Sequence, residues 1–230
     1  MLYPIAETFH SIKGEGQWTG TPMKFIRLAG CNVGQVKQIT GQPSVGVGLE
    51  ERRPAWQCHT YDNRPFWCDT DFHKYQELSE EELLADVWEK RIVLTGGEPL
   101  IHGRKLQPLI RLAHSKGLLV HLETSGTLSP RDDCGAADEG CYIDWIAVSP
   151  KLGYRGDMLE DADEIKLLVD ENFDDEQVPS EALRHPRVWL LPIGETRALI
   201  QTNINKCFEI QKKHPSWALC VQLHKVLGIL

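Results

Sequence analysis

Ile92-Val93-Leu94-Thr95-Gly96-Gly97-Glu98-Pro99 is a short apolar run that breaks into a polar, glycine-rich end. An aliphatic run closed by glycine and proline reads as a buried strand. The pattern recurs along the chain. Residues 118–122 read as a strand that runs into Glu123-Thr124-Ser125-Gly126-Thr127, and Trp145-Ile146-Ala147-Val148 as one that runs into Ser149-Pro150-Lys151. Upstream, residues 24–29 form a predicted strand ending at Gly30, with Cys31 and Asn32 directly after it. In barrel enzymes the chemistry sits at the carboxyl ends of the strands. These four ends are therefore predicted to converge on one mouth.

Amphipathic stretches alternate with these strands. Ser79-Glu80-Glu81-Glu82 is a capping-box signature, and Leu83, Leu84, Val87 and Trp88 follow at helical spacing. Residues 105–116 read as a helix stopped by Gly117, and residues 174–184 and 196–213 as two more. Residues 165–169, 188–191 and 219–223 complete the strands. Strand and helix in alternation predict a parallel α/β sheet with right-handed crossovers. No GxGxxG follows the first strand, so a dinucleotide-binding fold has no support. A full eight-fold barrel takes about 250 residues, and an irregular insertion from Asn32 to Leu78 consumes part of the length here. An incomplete barrel in one domain, residues 1–230, is the expectation.

The 230 residues are 41% hydrophobic, with a net charge of −8, which suits a substantial core and argues against broad nucleic-acid or anionic-membrane surfaces. No apolar run has the length of a membrane span, and the opening residues lack a signal-peptide pattern. Seven cysteines, an odd count, predict reduced thiols in the cytoplasm rather than a disulfide framework.

Twenty-six residues separate Cys31 from Cys58, and nine separate Cys58 from Cys68. Three clustered thiolates can hold an iron–sulfur cluster and leave one iron open to a small molecule. The same cysteines could be buried thiols, or a zinc site completed by His59 or His73. Gly96 and Gly97 could expose backbone to a ligand or make an ordinary turn. Glu123 with its hydroxyl neighbours suits a polar ligand or a capped turn. Lys151 at a strand end suits a carboxylate or is a solvated turn residue. Glycine-flanked Glu15, with Arg27 inside an apolar strand, suits a carboxylate ligand or a structural ion pair. Thr70, between Asp69 and Asp71, could serve magnesium or cap a turn. Acidic runs 157–164 and 170–177 read as solvated faces, and Cys134, Cys141, Cys207 and Cys220 as structural thiols.

In combination these pieces resemble the radical S-adenosylmethionine superfamily, and within it the 7-carboxy-7-deazaguanine synthase family. The resemblance runs through residues 7–16, 25–32, 67–70, 95–99, 123–127, 148–151 and 224–230. It implies a modified, partial (β/α)6 barrel with a long cluster-binding loop at about 31–78, usually assembled as a homodimer. Cys31, Cys58 and Cys68 would bind a 4Fe-4S cluster. Trp67, Cys68, Asp69, Gly97, Ser149, Pro150 and Lys151 would line the site of S-adenosylmethionine, with Leu191, Pro192, Ile193 and Gly194 nearby. Ile12, Lys13, Gly14, Arg27 and Thr95 match positions that contact a pterin, Glu15 and Glu123 would hydrogen-bond its ring, and the carboxylate of Leu230 would reach it. Thr70 matches a magnesium ligand. The implied reaction is the radical ring contraction of 6-carboxy-5,6,7,8-tetrahydropterin to 7-carboxy-7-deazaguanine with loss of ammonia, which feeds queuosine and other deazapurines. An external flavodoxin- or ferredoxin-like donor would supply the electron. A glycyl-radical-activating enzyme and a non-catalytic zinc-stabilised binding domain are the competing readings. The cysteine spacing departs from the superfamily's compact CxxxCxxC. Lys13 stands where the family often has Gln, Leu191 where Gln commonly precedes proline, and Leu223 where Thr often precedes the histidine.

Overall fold

The structure, a computed structural model, describes residues 1–37, 55–68, 70, 74–133, 141–194 and 197–229. The elements in order are β1 (Leu2–Ile12), β2 (Pro22–Leu28), β3 (Gln35–Lys37), β4 (Ala55–His59), β5 (Pro65–Cys68), β6 (Gln76–Ser79) and α1 (Glu80–Leu83). They continue with β7 (Arg91–Gly96), α2 (Gln107–Ser115), β8 (Leu119–Thr124), β9 (Trp145–Val148), α3 (Gly156–Glu160) and β10 (Glu164–Val169). The last are α4 (Ser180–Arg184), β11 (Val188–Pro192), α5 (Arg197–Lys213), β12 (Ala218–Leu219) and α6 (Leu223–Leu227).

Nine strands form one sheet in the order β12-β11-β10-β9-β8-β7-β2-β1-β6. From β2 to β12 neighbouring strands run parallel, whereas β1 pairs antiparallel with both β2 and β6. The expected parallel α/β sheet is present. It carries an antiparallel strand, β1, that was not expected. Tyr3 and Ile5 of β1 face the core, while its later residues are part-buried or exposed, so the apolar signal fades along the strand.

Successive residues of a strand point to opposite faces, and here the two faces differ in chemistry. Ile92, Leu94, Val120 and Leu122 pack on Leu109, Ile110 and Ala113 of α2. Ile165, Leu167 and Val169 pack among residues of α3, α4 and α5. The alternate positions His121, Glu164 and Lys166 are also buried and Glu123 is half-buried, so the opposite face of the sheet is polar. All six residues of β10 are buried, as a strand covered on both faces requires.

Local departures have local causes. The capping box at Ser79 and Glu82 is in place, but α1 ends at Leu83. The expected helix over 174–184 is a 3-10 turn (Asp175–Gln177) and α4. Pro179 lies between them and cannot donate to a continuous helix. The expected strand 219–223 shortens to β12, and Leu223 opens α6 instead. The irregular 32–78 insertion contains a small three-stranded sheet, β3-β4-β5.

Candidate active site

A cavity of about 170 Å³ opens at the carboxyl ends of the parallel strands, and Cys31, Cys58 and Cys68 all line it. Cys31 follows β2. The other two come from the β4–β5 hairpin, where Cys58 pairs with Phe66 and Trp56 with Cys68. Two residues along a strand return to the same face, so Cys58 and Cys68 are diagonal neighbours on one side of the hairpin. The nine residues between them are the stretch of chain that runs round the turn of that hairpin. Its turn is closed by Thr60 N–H donating to Arg64 O (3.0 Å) and Asn63 N–H to Thr60 O (3.0 Å).

The thiols influence one another. A hydrogen bond with Cys68, burial and the neighbouring sulfurs push the Cys58 thiol far up, and burial pushes Cys31 up. Cys31 is held against β7 by glycine. A Cβ on Gly97 would lie 2.2 Å from Gly30 O and 2.6 Å from Cys31 Cβ. The glycine pair thus serves the close approach of the Cys31 loop, and Thr95, Gly96 and Gly97 still line the cavity.

Glu123 belongs both to this cavity and to a buried charged array behind it. Lys13 and Lys166 each donate to its carboxylate. Lys166 also donates to Glu15 Oε2 at 2.8 Å, and Gln222 Nε2 donates to Glu15 Oε1 at 2.6 Å. Burial alone would raise the Glu15 carboxyl, but Lys166 and Lys13 hold it well below the usual carboxylate range. Burial, with repulsion from Lys166, lowers Lys13 to about 7. Burial also opposes the charge on Lys166, yet Glu15 and Glu164 outweigh it and raise that lysine. The 13–16 turn meets the chain's far end: Leu223 N–H donates to Gly14 O at 2.9 Å, and a Cβ on Gly14 would lie 1.9 Å from Nδ1 of His224.

Arg27 sits at the rim, opposite Thr95 in the β2–β7 register. It donates to Glu7 at 2.6 Å and to the Thr70 hydroxyl at 3.2 Å. Lys151 Nζ donates to Ser149 O at 2.8 Å and to Ser149 Oγ at 2.7 Å, and lies 5.3 Å from the Phe66 ring centre. Burial, with repulsion from Lys166, lowers it to about 8. Ser149 and Lys151 line the cavity, and Pro150 is buried between them. Trp67 is 42% exposed on the hairpin. Leu191 packs with Leu168 and Phe66 beneath that hairpin, next to Pro192, Ile193 and Gly194. Ile12 closes β1 ahead of Lys13. Asp69 and Leu230 lie outside the described residues.

Two buried groups at the site were given no role by the sequence, although Glu98 lies inside the Thr95–Pro99 motif. Lys166 falls in a run read simply as a strand. Glu98, fully buried, accepts from Leu100 N–H (3.1 Å), Thr124 Oγ1 (2.9 Å), Ser125 N–H (2.8 Å) and the Ser125 hydroxyl. It fastens the end of β7 to the end of β8. Below the array, Glu164 accepts from Gln17 N–H at 2.7 Å and presses on Gly16. Arg91 lies 4.2 Å over the Trp18 ring and closes the opposite end of the polar face.

Polar strand ends meeting a three-cysteine cavity on a parallel α/β sheet are the arrangement of a radical S-adenosylmethionine enzyme. No protein-family model matches the chain. The 7-carboxy-7-deazaguanine synthase of Escherichia coli (strain K12) is 34% identical over 249 residues, covering 100% of both chains. That of Synechocystis sp. is 32% identical over 234 residues, covering 99% of this chain and 93% of its own. Among solved structures, the crystal structure of QueE from Escherichia coli matches with a TM-score of 0.60 and 30% identity, covering 97% of this chain and 95% of that one. The chain belongs to the 7-carboxy-7-deazaguanine synthase family.

Proposed function

We propose that this chain converts 6-carboxy-5,6,7,8-tetrahydropterin to 7-carboxy-7-deazaguanine with loss of ammonia, in queuosine and deazapurine biosynthesis. One observation carries the reading: Glu123 is shared between the three-cysteine cavity and the Lys13–Glu123–Lys166–Glu15 array. A cofactor seated among the thiols and a polar heterocycle seated on the carboxylates would thus be neighbours.

The cysteines fit a 4Fe-4S cluster. All three line one cavity, and thiolates are the usual protein ligands of iron–sulfur clusters. Burial and the neighbouring sulfurs disfavour free thiolates at Cys58 and Cys31, and a bound cationic centre would stabilise them. When bound, the cluster and S-adenosylmethionine supply the carbon radical that takes hydrogen from the substrate.

The chain's own residues bind, orient and keep the site dry. Trp67, Gly97, Ser149, Pro150 and Lys151 border the S-adenosylmethionine seat, with Leu191 to Gly194 on the adjoining strand end. Ile12, Lys13 and Gly14 form the substrate wall. Lys166 and Lys13 hold Glu15 ionised, and Glu15 and Glu123, on which Lys13 and Lys166 converge, would accept N–H groups of the pterin ring. Arg27, beside Thr95, exchanges Glu7 for the substrate carboxylate. Thr70, which already meets Arg27, is the magnesium ligand of this reading. Asp69 and the Leu230 carboxylate complete it from outside the described residues. The partial (β/α)6 barrel, the homodimer and the flavodoxin- or ferredoxin-like donor are carried over from the resemblance, and the single domain over 1–230 and the cytoplasmic setting from the chain's length and its cysteine count. No helix among the described residues is long and apolar enough to cross a membrane, and none of the described cysteines is in a disulfide.

The test is a single anaerobic turnover. Reconstituted protein receives S-adenosylmethionine, magnesium, a reductant and the tetrahydropterin, and mass spectrometry follows the products. The ring-contracted product establishes the reading. Release of 5′-deoxyadenosine without it would overturn the substrate assignment, and zinc in place of iron and sulfide would overturn the chemistry.

A further inference from the structure

The β4–β5 hairpin brings two of the three cysteines to the cavity, yet its own sheet is small, and isolated hairpins are marginal in water. Something must fix it over the strand ends. One fastening is backbone: Thr60 bridges to Lys151, and Leu152 N–H donates to His59 O at 3.1 Å. The second is a single side chain in the hairpin turn. Arg64 donates through Nε to Asp62 at 2.6 Å, through Nη1 to Asp170 at 2.5 Å and through Nη2 to Leu168 O at 3.0 Å. Its guanidinium also lies 5.3 Å from the ring centre of Phe173, a buried residue.

The two ends of this contact differ in origin. Asp62 belongs to the turn and also accepts from the Thr60 hydroxyl. Leu168 lies in β10, and Asp170, just past its end, is itself fixed by accepting from Asn172 N–H at 2.9 Å. One planar cation therefore spans turn and sheet with its donors in fixed directions, which a lysine cannot reproduce. Its side chain is 11% exposed and that of Asp62 only 4%, so the contact is largely shielded from solvent.

We propose that Arg64 is a positioning residue for the metal centre: it latches the cysteine hairpin to the end of β10 and so sets Cys58 and Cys68 against Cys31 across the cavity. Phe66 and Tyr61 seat the hairpin on apolar neighbours, but apolar contacts are non-directional, so without the latch the hairpin is free to pivot about Thr60 and carry Cys58 and Cys68 out of register with Cys31. The latch rests on the cluster reading for its purpose, though not for its existence.

The test compares full-length parent, Arg64→Met, Arg64→Lys and Asp170→Asn. Hydrogen exchange is followed first in the iron-free proteins. Arg64→Met raises exchange across residues 55–68 and leaves β7 and β8 protected as in the parent. Each protein is then loaded anaerobically with ferrous iron and sulfide, and a chelator strips the metal. Arg64→Met loses iron about 10–100-fold faster, the usual scale for removing a group that orients metal ligands, with Arg64→Lys between it and the parent. Asp170→Asn alters only the sheet side, so it repeats both effects even if Arg64→Met fails to fold. Hairpin exchange and iron loss indistinguishable from the parent in the folded variants would overturn the latch. A parent that takes up no iron would overturn the cluster reading instead, and exchange in the iron-free chains would still decide the latch.

Discussion

Replacing Lys166 by Met removes the buried cation that two largely shielded carboxylates share. The Lys166 side chain is 5% exposed, and those of Glu15 and Glu123 are 14% and 17% exposed. Breaking a buried ion pair from one side costs about 3–5 kcal/mol, because the remaining charge stays desolvated. Glu15 keeps Gln222 and Glu123 keeps Lys13, which places the expected loss at the lower end, about 3 kcal/mol. For a chain of this size each kcal/mol moves Tm by about 2–4 °C, so the drop is about 6–12 °C at neutral pH. The sign of the pH dependence follows from Glu15. Its carboxyl is held below the ordinary 4.5, so the parent's extra stability is complete above that value and is lost as pH falls through the folded value. The gap between parent and Lys166→Met therefore closes in acid. Calorimetry of both iron-free proteins across a pH series measures it. A Tm loss under about 2 °C at pH 7 would refute the argument that the array is energetically coupled, as would a gap that widens in acid.

Other substitutions probe single links. Lys13→Gln removes a lysine that burial has lowered from 10.5 to about 7. The unfolded parent binds more protons across that window, so its stability rises with pH there, and the variant's profile in urea is flatter. Parallel profiles would show that Lys13 is not desolvated. Gly97→Ala puts a methyl 2.2 Å from Gly30 O and displaces the Cys31 loop. Iron and sulfide uptake falls while strand content by circular dichroism is retained, and unchanged uptake would mean the loop can yield. Glu98→Ala strands the N–H groups of Leu100 and Ser125 in the interior, at about 1–3 kcal/mol for each buried group. The urea midpoint reads that loss, and a shift no larger than that of a surface mutation would contradict it.

The array also bears on selectivity. A pocket in which two lysines meet two glutamates offers donors and acceptors together, so a polar ring with both kinds of group can enter and keep those buried groups hydrogen-bonded. Among the described residues Arg27 at the rim meets Glu7, 49% exposed, the Thr70 hydroxyl and the face of Phe9. An exposed pair contributes little, so a ligand carboxylate can displace Glu7 at small cost. The expected preference is for a planar polar ring carrying one carboxylate.

Much of this was legible from the residues in order. Apolar runs ending in Thr95-Gly96-Gly97, Glu123-Thr124 and Ser149-Pro150-Lys151 marked the strands and their active ends, because burial and strand termination are written within a few neighbouring residues. The capping box at Ser79 and the stop at Gly117 were local for the same reason. Partners across the sheet were not legible. The gap between Cys58 and Cys68 is irregular until β4 and β5 pair, since only strand register puts both sulfurs on one face. Lys166 is one polar letter in a strand until Glu15 and Glu123 arrive from 151 and 43 residues away. Arg64 needs Asp170, 106 residues distant. Pattern determined which segments become strands and where their chemistry gathers. Tertiary structure decided which charges meet, because a buried charge is tolerated only beside its partner, and that partner is chosen by the fold rather than by the neighbouring sequence.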